Sequence, residues 1–375
     1  MGYKILMALN GMDIGGAETH AAELSLELQR RGYEVILASN GGTYVPRLEA
    51  AGLRHFQVPM NRRSVQAMVE SRKRLSRIIR AEKPDIVHAH ARIPGYLCGS
   101  LKKSCGFAFV TTCHGVYSSG RMADRMTNWG EHTFAVSEDA RGYLMQSFGV
   151  PEDHITVTIN GIDTNRFAPG AADESAAREL ELDCSAPVLL TVSRLDSASS
   201  LAAELLLQQS LNMAEAVPGL QLVIVGGGTE FGRLQALAEE QNAAAGRPLI
   251  RMTGPRTDVD RILSLCTAFV GVGRSALEAM ASAVPIILAG NRGYQGILTP
   301  DNLEEAAGRN FGCRNAAPLE GEALCRDVLT LLRTDEEERR NLGAFGRSAV
   351  LKDYSVARMA DDCEQVYRRF LSGNP

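Results

Sequence analysis

Long apolar runs are missing from this chain. No stretch of its 375 residues approaches the roughly 18–20 apolar residues that a membrane-spanning helix needs. The opening MGYKILMALNGMD turns polar too soon for a secretory signal. Leu6 stands where a myristoylation signal wants Ser or Thr. The expectation is a cytoplasmic protein, peripheral at most at the inner membrane face. Eight cysteines are present, but no two are spaced CxxC. Cys98, Cys105 and Cys113 lie too far apart for a zinc knuckle, so free thiols in a reducing compartment are expected. A surplus of positive charge is also lacking. Forty Lys and Arg face 44 Asp and Glu, a net charge of −4, which excludes coating nucleic acid by bulk charge.

The charges that are present divide unevenly. Residues 1–168 hold 20 basic and 16 acidic side chains, and residues 169–375 hold 20 and 28. All seven histidines lie in the first part. Hydrophobic patterning repeats strand, loop, helix. Strands are predicted at Lys4–Asn10, Glu34–Ser39, Asp85–His88, Phe107–Thr112, Thr133–Ser137 and Ile155–Ile159. A polar stretch after Pro169-Gly170 interrupts the pattern. It resumes with strands at Val188–Ser193, Leu220–Val225, Leu249–Thr253, Ala268–Val272 and Pro285–Ala289. Short apolar runs between helical patterns predict parallel sheets covered on both faces. The reading is α/β, two doubly wound Rossmann-like domains, 1–168 and 169–354. The amphipathic stretch 355–375, with Met359, Cys363, Val366, Tyr367 and Phe370 on one stripe, is expected to pack back across the domain boundary. Ligands of such sheets sit outside the carboxyl ends of the strands, so a site is expected in the cleft between the domains.

Several strand exits carry residues suited to chemistry. Gly15-Gly16 joins the first strand to a helix, where a bare backbone and free N–H groups suit a phosphate; a plain tight turn is the alternative. Gly226, Gly227 and Gly228 leave a later strand in the same way, but out of register for a dinucleotide fingerprint. His114 leaves the strand Phe107–Thr112. It is placed to hydrogen-bond a substrate hydroxyl or to shuttle a proton, or to pack as a satisfied core histidine. Arg194 leaves the strand Val188–Ser193, and its guanidinium can span two phosphate oxygens. Glu278, near a helix start, can hold both hydroxyls of a ribose or complement the helix dipole. His88 and His90 share a strand face but lack further ligands at metal spacing. Asp258-Val259-Asp260 opens a helical pattern and reads as a helix cap. Residues 61–83, rich in Arg and Lys, read as a basic helix, either a solvated face or a dock for anionic lipid headgroups.

As an ordered set the segments GGAE (15–18), PDIVHAH (84–90), HG (114–115), AVSEDAR (135–141), INGIDTNRF (159–167), SRLD (193–196), IVGGG (224–228) and LEAMASAVPII (277–287) resemble the family-4 glycosyltransferases of GT-B fold. The resemblance implies a nucleotide-diphosphate sugar as donor, bound mostly by the second domain, and a glycan or lipid-linked acceptor on the first. It implies transfer with retention and no metal. By position, Gly15 and Gly16 approach the donor phosphates and Arg194 binds the diphosphate; Gly226 and Gly227 are further candidates for binding the nucleotide. His114 contacts the donor sugar, Glu278 holds the ribose, and Asn160 and Gly161 lie near the hinge. Two departures stand out. Ser199 occupies the place of a second phosphate cation, a Lys. Val270 stands where a Glu that touches the sugar is usual. Arg274 is expected to supply the missing charge, and the run Gly293–Gly296 is either part of the sugar pocket or a plain loop. The competing readings are a nucleotide-sugar 2-epimerase-like isomerase, and a non-catalytic nucleotide-sugar-binding protein of the same fold.

Overall fold

Segments such as KILMA, IVHA and VLLTV are apolar on both faces and too short for helices, so they pair as buried parallel strands. The computed structural model describes residues 2–62, 64–116 and 126–372; Arg63 of the basic stretch lies outside them. Seven parallel strands form the first sheet: β1 (Lys4–Ala8), β2 (Glu34–Ser39), β3 (Arg54–Gln57), β4 (Ile86–Ala89), β5 (Ala108–Cys113), β6 (His132–Ala135) and β7 (Ile155–Val157). Their order is β3-β2-β1-β4-β5-β6-β7. The second sheet holds β8 (Val188–Val192), β9 (Gln221–Val225), β10 (Ile250–Gly254), β11 (Ala268–Gly271), β12 (Ile286–Gly290) and β13 (Gly293–Ile297). Its order is β10-β9-β8-β11-β12-β13.

Both sheets reverse their winding direction once, between β1 and β4 and between β8 and β11. A crevice opens at such a switch, because the loops on either side of it diverge to opposite faces. Two strands differ from the sequence expectation. β3 is a polar edge strand, RHFQ, with no fully buried residue, so it carries little apolar signal. β13 pairs antiparallel with β12, so the run Gly293–Gly296 is a strand and not a loop.

The chain divides into two units, Met1–Gly161 with Ser355–Pro375, and Ile162–Tyr354. The division falls before residue 168 because Ile162 and Phe167 are both buried in the core of the second unit. The helix Val356–Leu371 belongs to the first unit. Its buried Met359, Cys363, Val366 and Tyr367 join a core with Leu24 and Leu28 of the helix Gly16–Arg30. Arg31 clamps the two helices. Its guanidinium donates to Asp361 Oδ1 at 2.6 Å, to Glu364 Oε2 at 3.1 Å and to the Ala357 carbonyl at 2.8 Å. Gly161 lies against the same helix, where a Cβ would stand 2.8 Å from Val356 Cα.

Candidate functional site

In the first unit, the candidate residues gather at the carboxyl ends of β1, β4 and β5. The helix Gly16–Arg30 starts directly at the β1 loop. Its N-cap, Gly15, has no side chain to offer the first-turn N–H groups, and the carboxylate of Glu18 in that turn lies against it. One turn into this helix lies His20, fully buried. Its ring meets that of His114 edge-on, with centroids 4.8 Å apart. His20 Nδ1 is 3.3 Å from Asn160 Oδ1. His90, at the end of β4, lies with Nδ1 3.2 Å from His114 Nε2 and Nε2 3.4 Å from Met7 Sδ. Gly15, His20, His90, His114 and Asn160 thus fall together on one edge. Burial, reinforced by the neighbouring imidazoles, holds His90 and His114 well below the usual histidine range. Both are neutral at physiological pH.

His20 escaped the sequence reading. Its signal is weak: a histidine four residues after Gly16 reads as one more helix position. His90 was visible only as half of His88-Ala89-His90. The rings of His88 and His90 stack at 4.1 Å, but His88 serves the fold. Its two nitrogens contact the Tyr367 hydroxyl and Thr112 Oγ1, each at 2.7 Å. Among the described residues, no group of three His, Cys, Asp or Glu side chains is placed to hold a metal ion.

In the second unit, the candidates gather at the ends of β8, β9 and β11. Arg194 is exposed at the β8 exit. Its loop is braced by Ser199, whose hydroxyl donates to the Arg194 carbonyl at 2.8 Å. The three glycines after β9 have a packing reason. The Leu195 N–H donates to the Gly227 carbonyl at 2.9 Å. A Cβ on Gly226, at φ +144°, would fall 1.8 Å from the Ser193 carbonyl oxygen, so only glycine lets these loops touch. Asn291 ties the β12 exit to the same loop, donating to the Ser197 carbonyl and accepting from the Leu201 N–H, each at 2.9 Å.

The structure adds detail to three of the candidates. Val270 lies within the predicted strand Ala268–Val272, on β11. It is fully buried in β11 between Thr191 of β8 and Ile287 of β12. Only Val272 separates β11 from the helix Gly273–Ala281, so no loop remains to carry a carboxylate to a ligand. Arg274 is in the first turn of that helix, and its Nε donates to Glu278 Oε1 at 2.9 Å. The side chains are 11% and 12% exposed, so the proposed phosphate cation and ribose acceptor are one ion pair. Asp258 is the N-cap residue of the helix Val259–Leu263, but its side chain makes no cap hydrogen bond. It pairs with Arg256 and Arg261 instead. On β13, Tyr294 is anchored to Asp327 and the Ala323 carbonyl. Both polar atoms of Gln295 are buried without a hydrogen-bond partner, a state that a bound polar ligand relieves.

Residues 14–166 match the family model described as Glycosyltransferase Family 4, and residues 186–315 match that of Glycosyl transferases group 1. The alpha-maltose-1-phosphate synthase of Mycolicibacterium smegmatis is 24% identical over 389 residues, 95% of each chain. A glycosyltransferase from Rickettsia africae has the same fold, with a TM-score of 0.76 at 20% identity over 99% of both chains. So does Anabaena HepE in complex with UDP and glucose, with a TM-score of 0.76 at 16% identity over 99% of this chain and 100% of that one.

Proposed function

Because the chain belongs to the family-4 glycosyltransferases and has the GT-B fold, we propose that it transfers a sugar from a nucleoside-diphosphate carrier to a glycan or lipid-linked acceptor, with retention and without a metal ion. One observation carries this reading. Gly15 and His90 follow β1 and β4, and Arg194 and Arg274 follow β8 and β11, the strands that flank the point where each sheet reverses its winding.

The edge of the second unit suits the nucleotide. Departure of a diphosphate builds negative charge on its leaving oxygen. Arg194 and the uncapped start of the helix Gly273–Ala281 are fixed positive features that can meet that charge. The Arg274–Glu278 pair adds a guanidinium and a carboxylate held in place by each other, so a ribose hydroxyl and a phosphate oxygen meet preset partners. The edge of the first unit suits the sugar. His114 is neutral, so it offers a hydrogen bond without placing a second charge beside the donor. The basic helix Val65–Glu82, with Val65 and Val69 exposed, agrees with an acceptor presented at an anionic membrane surface.

The test is a melting-temperature screen with uridine, guanosine and adenosine diphosphates and their sugars, followed by a transfer assay. One diphosphate is expected to stabilise the protein, by about 2.7 kcal/mol at a concentration 100 times Kd. Arg194→Ala is expected to remove that gain. Absence of any shift across the whole set overturns the reading. Conversion of a donor in the absence of acceptor would instead establish the isomerase.

A further inference from the structure

We infer that His90 is a positioning residue that fixes His114 in the tautomer carrying its proton on Nε2, so that Nδ1 of His114 is a hydrogen-bond acceptor. The inference rests on the reading of His114 as the group that meets the sugar, but its geometry stands apart from that reading.

The chain of contacts starts at Met7, fully buried in β1. A thioether sulfur has lone pairs and no proton, so it can only accept. His90 Nε2 lies 3.4 Å from Met7 Sδ. The favourable arrangement puts the proton of His90 on Nε2, pointing at the sulfur; the other tautomer would face two lone pairs at each other. His90 is 2% exposed, and its burial and the nearby imidazoles of His88 and His20 disfavour a second proton. Nδ1 of His90 is therefore a lone pair. That atom is 3.2 Å from His114 Nε2. A contact of this length needs one proton, and only His114 can supply it. Desolvation keeps the half-buried His114 neutral, so a proton on Nε2 leaves none on Nδ1. The tautomer is passed from sulfur to imidazole to imidazole, and it ends in an acceptor. The principle is the general one for histidine: the partner of one ring nitrogen sets the role of the other.

The consequence is a specificity rule. His114 Nδ1 can receive a hydrogen bond from a hydroxyl or an amide N–H. It cannot donate one to a phosphate, carboxylate or ketone oxygen. It fits a donor sugar that presents a hydroxyl at that position, and it opposes one that presents only an oxygen acceptor there.

The experiment is nitrogen-15 NMR of the histidine rings in the full-length protein, with His114 assigned by its loss in His114→Asn. The expected spectrum gives His114 one protonated Nε2 and one unprotonated Nδ1, unchanged across neutral pH. His90→Asn, which keeps an acceptor near the position of Nδ1, should preserve that pattern. His90→Leu should convert it to a tautomer average. In turnover, His90→Leu should lower kcat/KM about tenfold, the worth of one neutral hydrogen bond, and His90→Asn should recover most of it. Protonation of His114 on Nδ1 in the wild type, or a tautomer average there, overturns the inference, as does an unchanged His114 pattern in folded His90→Leu. The wild-type spectrum decides even where a variant does not fold. If the tautomer is as stated and no nucleotide sugar is used, the function reading fails and this one stands; transfer with a proton on Nδ1 gives the reverse.

Discussion

Six of the seven histidines line the first sheet and the loops around it, and burial makes several of them sensitive to acid. His132 is the clearest. It is 5% exposed on β6, its Nε2 lies 2.8 Å from Thr156 Oγ1, and desolvation lowers its pKa to about 4. The unfolded chain takes up a proton near pH 6.5, and the folded chain refuses it until about pH 4. The stability this group contributes is therefore complete above about pH 6.5 and falls by about 1.4 kcal/mol per pH unit below it. His88, His90 and His114 are shifted in the same direction, so the slopes add. Urea unfolding between pH 6.5 and pH 4.5 should show a steep loss. His132→Asn should reduce the slope by one proton; an unchanged slope would show that His132 is not the neutral group described. Residues of this kind are legible as letters and not as roles. His114 could be picked out because it follows a strand. His90 looked like half of a metal pair until Met7, 83 positions away, defined what its Nε2 does.

At the scale of elements, the helix Val356–Leu371 gives the sharpest case. Its apolar stripe is readable at a period of 3.6 residues. Its destination is not, because an amphipathic stripe states only that something must cover it. The structure places it on the Gly16–Arg30 helix, with Tyr367 fully buried and its hydroxyl 2.7 Å from His88 Nδ1. Tyr367→Phe should lower stability by about 1–3 kcal/mol, because it strands a buried ring nitrogen. Tyr367→Ala should cost about 3–5 kcal/mol through the added cavity. Both losses should appear in the unfolding of the first unit, followed by hydrogen exchange of β4 and β5 amides. Equal losses in β8 and β9 would contradict the assignment of this helix to the first unit. The second sheet teaches the same lesson from the other side. β13 contains two glycines in five residues, so its sequence reads as a loop; antiparallel pairing with β12 makes it a strand. Val270, by contrast, lies in the strand that its apolar run predicts.

At the scale of the whole molecule, the charge split survives the true boundary. The unit made of 1–161 and 355–375 carries 22 basic and 18 acidic side chains, and 162–354 carries 18 and 26. The positive unit concentrates its excess on the helix Val65–Glu82, where Arg72, Lys73, Arg77 and Arg80 are exposed along with Val65 and Val69. If this face meets an anionic bilayer, the protein should sediment with phosphatidylglycerol vesicles and not with phosphatidylcholine vesicles. The Lys73→Glu, Arg77→Glu double variant should weaken that binding at least about 30-fold, at about 1 kcal/mol per basic side chain. Release in 0.5 M salt would follow from screening. Equal pelleting on both lipids would refute an electrostatic dock. Such binding is separable from the proposed nucleotide site, because the basic face lies in the positive unit and Arg194 in the acidic one.

What the sequence determined by itself is the architecture: apolar runs of strand length between helical patterns force two covered parallel sheets, and glycines at strand exits mark where backbone must come close. The order of motifs was enough to indicate the family. Tertiary packing set how those groups are used. It joined Arg274 to Glu278, gave Gly226 a carbonyl to avoid and set the proton on His114 from a buried sulfur. Periodicity is a local property that burial enforces along a few residues. A hydrogen bond between side chains depends on distances of about 3 Å, which exist only once the sheets have brought remote strand ends together.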